Sequence, residues 1–235
     1  MSQTIASIPG IKAVLFDIYG TLLASSAGER HPDPGIHAVI RGFHARSPHP
    51  FPEVDIREIH ASLRPDLGKE VIEALAFEHE NAVNPVHEMS GATETLQTLR
   101  SRGMHLGLIS NAQFYTVPVL EECLGQTLEA LGIDPGICVF SYEFLRAKPD
   151  PFLFEIARDR LASIGIPPEA VLYIGNDVRN DIEPAKATGF RTALFAGDDS
   201  SLRLRGKTLA ACGADIVLWD LRELLWLPRR PSLRP

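Results

Sequence analysis

The stretch Ala13-Val14-Leu15-Phe16-Asp17-Ile18-Tyr19-Gly20-Thr21-Leu22-Leu23 joins an apolar run to a carboxylate and then to a Gly-Thr turn. A short run of consecutive apolar residues reads as a strand buried on both faces, the pattern of a parallel sheet covered by helices. An Asp at the carboxyl end of such a strand falls in the crevice where doubly wound α/β folds bind ligands. The apolar run cannot solvate a charge there, so the acid is either a cap of the following turn or a working group. As a nucleophile, a carboxylate forms a covalent intermediate and divides one hard displacement into two easier ones.

Similar runs recur at residues 105–109, 137–140, 171–174, 192–195 and 215–219, most of them separated by helical patterns. Those patterns cover residues 92–102, 151–164 and 183–188, with Gly103 and Gly189 as stops. Strand and helix in alternation predict an α/β chain, a doubly wound parallel sheet with right-handed crossovers.

The interval between the first two strands breaks the rhythm. Residues 24–102 are far more than a plain crossover needs. They hold a polar, Pro-rich lead-in at 25–34, amphipathic segments at 35–45, 54–63 and 69–79, and a return through Asn84-Pro85-Val86-His87-Glu88. The expected organisation is a core domain of residues 1–23 and 103–235 with an inserted helical cap of residues 24–102. A lid that closes over substrate and a purely structural elaboration are both open uses of such an insertion.

The chain has 235 residues, 45% hydrophobic and 23% charged, with a formal net charge of −7. That composition is ordinary for a globular protein and argues against nucleic acid or an anionic membrane as the main partner. No run approaches the ~18 apolar residues of a membrane helix. Cys123, Cys138 and Cys212 are scattered without CxxC spacing, which suggests neither a zinc site nor a disulfide frame. The amino terminus lacks a signal-peptide pattern, so a cytoplasmic location is expected. The basic, Pro-rich tail 227–235 reads as a frayed end.

Four short motifs fall at predicted strand ends on the side of Asp17. They are Asp17-x-Tyr19-Gly20-Thr21; Ser110-Asn111; Lys148 in Ala147-Lys148-Pro149-Asp150; and Gly175-Asn176-Asp177-Val-Arg-Asn180-Asp181. Singly, each also reads as a turn, a cap or a solvated charge. In this order on successive strands they form a specific set.

On those motifs, over roughly residues 12–220, the chain resembles the haloacid dehalogenase superfamily of hydrolases, whose members carry a cap after the first motif. The resemblance implies Asp17 as nucleophile, with Thr21 and Ser110 hydrogen-bonding the transferred group. It implies Lys148 as counter-charge to the nucleophile and the intermediate, Tyr19 and Asn111 on the substrate, and Asp181 orienting the site. A divalent cation, Mg2+, would be held by Asp17, the Tyr19 backbone carbonyl, Asn176 and Asp177.

Two details of the chain pull the resemblance in opposite directions. Phosphatase members carry a second Asp, the general acid, where Tyr19 stands; 2-haloacid dehalogenases carry Tyr there. A phenol titrates near pH ~10 and is a poor acid at neutrality. The fourth motif departs from the metal-free dehalogenases, because Asn176 and Val178 replace their Ser and Asn, and Phe154 replaces a Tyr after the lysine. Asn oxygen suits Mg2+. Asp17, Asp177 and Asp181 against Lys148 leave an excess of negative charge that a cation removes.

The favoured expectation is Mg-assisted hydrolysis of a small phosphorylated metabolite through an aspartyl intermediate. A metal-free 2-haloacid dehalogenase and a catalytically degraded ligand-binding member are the alternatives. The expected partner is a small anionic substrate, with no nucleic acid and no membrane, and the chain a monomer or homodimer. Arg30 and Arg41 are candidates for the arginine that dehalogenases use. His31, His37, His44 and His60 show no ligand spacing and read as surface or packing residues. Trp219 and Trp226 read as C-terminal core, and Arg203 and Arg205 as part of a solvated loop.

Overall fold

The computed structural model describes residues 8–25 and 34–227. Residues 1–7, residues 26–33 with Arg30 and His31, and the tail 228–235 lie outside the described residues.

In chain order, β1 (Ala13–Phe16) and β2 (Leu23–Ser25) precede the helices α1 (Pro34–His44), α2 (Ile56–Leu63) and α3 (Lys69–Val83). Then come β3 (Val86–Glu88), α4 (Ala92–Ser101), β4 (His105–Ser110), α5 (Thr116–Leu124), α6 (Leu128–Leu131), β5 (Val139–Phe140) and α7 (Ser141–Phe144). The last part holds α8 (Phe152–Ser163), β6 (Val171–Gly175), a π-helical turn at Val178–Ile182, α9 (Glu183–Ala187), β7 (Arg191–Phe195) and β8 (Ile216–Leu218).

Six strands form one parallel sheet in the order β5-β4-β1-β6-β7-β8. The chain leaves β1 toward β4 and β5, then returns to lay β6 on the other side of β1. The order therefore reverses around β1, and the crevice of a doubly wound sheet opens at the carboxyl ends of β4, β1 and β6. All four side chains of β1 are wholly buried, which accounts for the unbroken apolar run; full burial of a Leu or Phe is worth about 1.5–3 kcal/mol. Val14 and Phe16 pack with Leu96, Leu99 and Leu106 on one face, while Ala13 and Leu15 pack with Leu153, Phe154 and Tyr173 on the other.

The inserted helices stand on a small antiparallel ribbon that the sequence reading passed over, with Leu23 opposite Glu88 and Ser25 opposite Val86. Strands of three residues with mixed burial carry too little pattern to be read. Helices α1, α2 and α3 share a core of Ile36, Val54, Ile56, Ile59 and Ala76, to which Tyr115 from the sheet side contributes. Helix α4 differs from them. Thr95, Leu96 and Leu99 bury it in the main core, so the helices that stand apart run from α1 to α3.

A strap from α1 to α2 is tied to the sheet domain. The Gln113 side chain donates from Nε2 to the Val54 carbonyl at 2.8 Å and accepts the Ile56 N–H at 2.9 Å, as a main-chain amide would. Ala147 N–H bonds the Phe51 carbonyl and Glu53 N–H the Leu145 carbonyl, completing the attachment. Two expectations fail at the carboxyl end: Trp219 is 54% exposed and Trp226 76%, and neither belongs to the core. Leu218, Leu221 and Leu224 fill it instead. No described helix is long and apolar enough to cross a membrane.

Candidate functional site

Asp17 follows β1 directly, its N–H still bonded to the Ile174 carbonyl of β6. That bond and the buried strand behind it fix the carboxylate at the crevice. Its Oδ1 accepts from Ser110 Oγ at 2.7 Å, at the end of β4, and from Lys148 Nζ at 2.9 Å. No described group donates to Oδ2, and Asp17 lines a cavity of about 310 Å3. One oxygen is thus neutralised and the other left bare.

Lys148 is almost wholly buried, and its three N–H donors all find acceptors. Beyond Asp17 it reaches Asp181 Oδ1 at 2.6 Å and the Tyr173 hydroxyl at 3.1 Å. Burial alone would push the ammonium down, but Asp17 and Asp181 more than reverse that and hold it charged. Asp181 is completely buried, and burial pushes its carboxyl up to about 6 against the pull of Lys148, with the Asp17 charge adding to the rise. The Lys148 main chain is clamped as well, since Asn111 accepts its N–H at 2.7 Å and donates to its carbonyl at 3.3 Å. Asn111 lines the cavity, but its carboxamide is spent on placing the lysine.

Two glycines permit this crowding. Gly175 passes so close to Asp181 that a Cβ would overlap the carboxylate, and Gly20, at φ +77°, sits equally close to the Asn176 carboxamide.

Tyr173 is the member of the site that sequence reasoning missed. Its ring packs edge-on against Phe154 at 4.9 Å, and its hydroxyl lies 2.9 Å from Asp181 Oδ1 and 3.0 Å from the Ile109 carbonyl. The signal existed: it is the one side chain with a polar tip in the strand Val-Leu-Tyr-Ile-Gly, and a buried phenol needs a partner. Tyr173→Phe removes the hydroxyl and keeps the packing. Unfolding in urea is expected to show a loss of about 1–3 kcal/mol. Turnover should fall about tenfold to a hundredfold as Lys148 and Asp181 lose a shared partner.

Tyr19 projects from the first turn to Thr116, with its hydroxyl 3.2 Å from the Thr116 Oγ1. Burial, more than the charges of Glu80 and Asp17, pushes this phenol well above its ordinary range, so it gives up no proton near neutrality. Thr21 is fully buried with no partner for its Oγ1, and it is not part of the cavity wall.

The inserted segment lines the cavity through Glu53 of the strap, Glu80 of α3 and Asn84 at the end of α3. Glu80 accepts from Asn84 Nδ2 at 2.9 Å and from the Tyr115 hydroxyl at 3.1 Å. Glu53 accepts from its neighbour Val54 N–H at 2.9 Å and from Ser141 Oγ at 2.7 Å. Burial raises the Glu53 carboxyl; those two donors hold it back in part.

Of the four groups expected around a cation, three keep an oxygen available. They are Asp17 Oδ2, the Tyr19 carbonyl, and Asn176 Oδ1, whose amide is held by Nδ2 donating to the Ser201 carbonyl at 2.6 Å. Asp177 does not join them. Its carboxylate caps the π-helical turn through the N–H groups of Arg179 and Asn180, and pairs with the Arg205 guanidinium. Arg205 stands 28 residues away with no local signal to mark the pairing. The loop read as solvated therefore takes part: Arg205 binds Asp177 and Arg203 lines the cavity. One carboxylate and two neutral oxygens match a small hard cation that retains several waters and shares a phosphate, and no denser cluster of three or more His, Cys, Asp or Glu is present among the described residues.

Residues 11–189 match the family model of haloacid dehalogenase-like hydrolase. Similar curated proteins include the N-acetylmuramic acid 6-phosphate phosphatase of Pseudomonas aeruginosa, 27% identical over 92% of this chain and 93% of that protein. Pyrophosphatase PpaX of Anoxybacillus flavithermus is also 27% identical, over 92% of this chain and 95% of that one. Among solved structures, one described as a dehalogenase superposes with a TM-score of 0.59 at 18% identity, covering 95% of this chain and 99% of the other, a likeness of fold.

Proposed function

From the premise that the chain belongs to the haloacid dehalogenase-like hydrolases, we propose that it is a phosphatase of small phosphorylated metabolites acting through an aspartyl phosphate on Asp17. The observation that carries this reading is that Ser110, at the end of β4, and Lys148, from the loop before α8, hold one oxygen of Asp17 at the end of β1 and leave the other without a donor beside the cavity. Its volume of about 310 Å3 is at the low end for ligand pockets and suits a phosphate with a short leaving group.

In the first step the Asp17 carboxylate attacks phosphorus, the P–O bond to the leaving group breaks, and its electron pair departs with the alkoxide or phenoxide. Lys148 stays protonated throughout and offsets charge on the carboxyl and the transferred group. In the second step water cleaves the mixed anhydride, returning Asp17 and releasing phosphate. Asp17, the Tyr19 carbonyl and Asn176 are the groups for Mg2+, which would supply charge stabilisation to the phosphoryl oxygens. Residues 34–84 act as the cap that supplies the leaving-group wall. The substrate is a small anion, and the protein works in the cytoplasm.

Tyr19 stands where phosphatase relatives place a general acid, a function typically worth ~10²–10⁴-fold. Esters whose leaving group departs without a proton should therefore be the faster substrates. Release of p-nitrophenol from p-nitrophenyl phosphate, with Mg2+ and with excess chelator, tests the reading; metal-dependent release supports it and none in either condition overturns it. The same Tyr19 favours a second reading, hydrolysis of 2-haloacids, since halide leaves unprotonated. Halide release would identify it.

A further inference from the structure

The cavity lining brings together groups of unlike charge. From the sheet domain come Lys148, bonded to Asp17, and Arg203. From the inserted segment come Glu80, which is buried, and Glu53, which is half-buried; their hydrogen bonds to described residues come from neutral donors only: a backbone N–H, two hydroxyls and a carboxamide. Neither forms an ion pair with a described residue. A carboxylate has about four acceptor positions, and each of these accepts two hydrogen bonds, so each can accept more. A buried carboxylate without a counter-cation is costly, and one that walls a ligand cavity is relieved when the ligand brings the cation.

An independent observation concerns the leaving oxygen. The half-buried Tyr19 hydroxyl is turned to Thr116 Oγ1 at 3.2 Å, and the first turn carries no carboxyl besides Asp17 that could protonate a departing alkoxide. A leaving group with a fixed positive charge close to its ester oxygen needs that proton less, because the charge offsets the developing alkoxide. Both ends of the problem ask the same thing of the substrate.

Resting on the phosphatase reading above, we infer that the substrate is the phosphomonoester of a short amino alcohol or amino sugar, its ammonium group held by Glu80 with Glu53 beside it. Phosphate lies at Lys148 and Arg203, and the ammonium donates to the free acceptor positions of the cap carboxylates. No proton is transferred in the binding step.

The experiment compares O-phosphoethanolamine with two uncharged analogues, 2-hydroxyethyl phosphate and N-acetyl-O-phosphoethanolamine, alongside p-nitrophenyl phosphate, all with Mg2+ at neutral pH. The aminated ester should exceed both analogues in kcat/KM by about tenfold or more. In Glu80→Gln that ratio should collapse to near one, and Glu53→Gln should lower it in part. Thermal melting of both variants shows that they remain folded, and either folded variant carries the test. Equal rates for the three esters in the parent protein, or a ratio preserved in both variants, overturns the inference while leaving the phosphatase reading intact. Failure of all four substrates, p-nitrophenyl phosphate included, removes the phosphatase reading and the inference with it.

Discussion

Lys148→Met is expected to abolish turnover and to destabilise the fold by about 3–5 kcal/mol, the cost of removing one partner from a buried ion pair. The lysine holds Asp17 at 2.9 Å and Asp181 at 2.6 Å, and both carboxylates are more than nine-tenths buried. Met fills most of the volume and leaves two neighbouring acids with no cation, so one of them must take up a proton or the pair must be hydrated. The pH dependence follows from that. Carboxyls pushed up in the folded state bind more protons than in the unfolded chain, so their stability contribution is greatest at low pH and is lost as pH rises. The deficit of Lys148→Met relative to the parent should therefore be larger at pH 8 than at pH 5 in urea titrations. An equal deficit at both pH values would mean that lost packing, not unpaired charge, sets the cost.

The readability of this chain was uneven, for physical reasons. Strand β1 was plain because both of its faces are buried, and the acid at its end stood out against four apolar residues. Ser110 and Lys148 were legible as motif positions, and the structure brings both to Asp17. What escaped was set by long-range geometry. Arg205 reaches Asp177 from a loop whose sequence only reads as basic, and that pairing decides which oxygens stay available. Tyr173 looked like one more strand residue, although its hydroxyl sits between Lys148, Asp181 and the Ile109 carbonyl. The wall formed by Glu53 and Glu80 depends on how an insertion folds back over the sheet, which no local spacing encodes. Trp219 and Trp226 misled because large apolar side chains at an end of the chain are as compatible with exposure as with core.

Asp17→Asn offers the opposite pairing of effects: no activity, with stability kept or raised. The carboxamide is nearly isosteric and can still accept from Ser110 and Lys148, but its oxygen is no nucleophile, so phosphate release should fall below detection in assays that follow the parent easily. The electrostatic consequence reaches Asp181. Its carboxyl stands at about 6 because burial raises it and the Asp17 charge raises it further, against the pull of Lys148. Neutralising Asp17 gives Lys148 a single carboxylate to serve, and Asp181 ionises more readily. The folded parent protonates Asp181 near pH 6 and the unfolded chain near 3.8, so the parent's stability from this group is full below that lower value and lost as pH rises through about 6. The variant is spared part of that loss. Measured in chelator to exclude bound cations, its melting temperature should match or exceed the parent's at pH 7.5. The margin should correspond to on the order of 1 kcal/mol per unit of relieved shift, and it should narrow toward pH 4. A variant that is inactive and also strongly destabilised at pH 7.5 would show that the Asp17 charge is needed to hold Lys148 in the fold, and that this site is built around the ion pair as much as around the nucleophile.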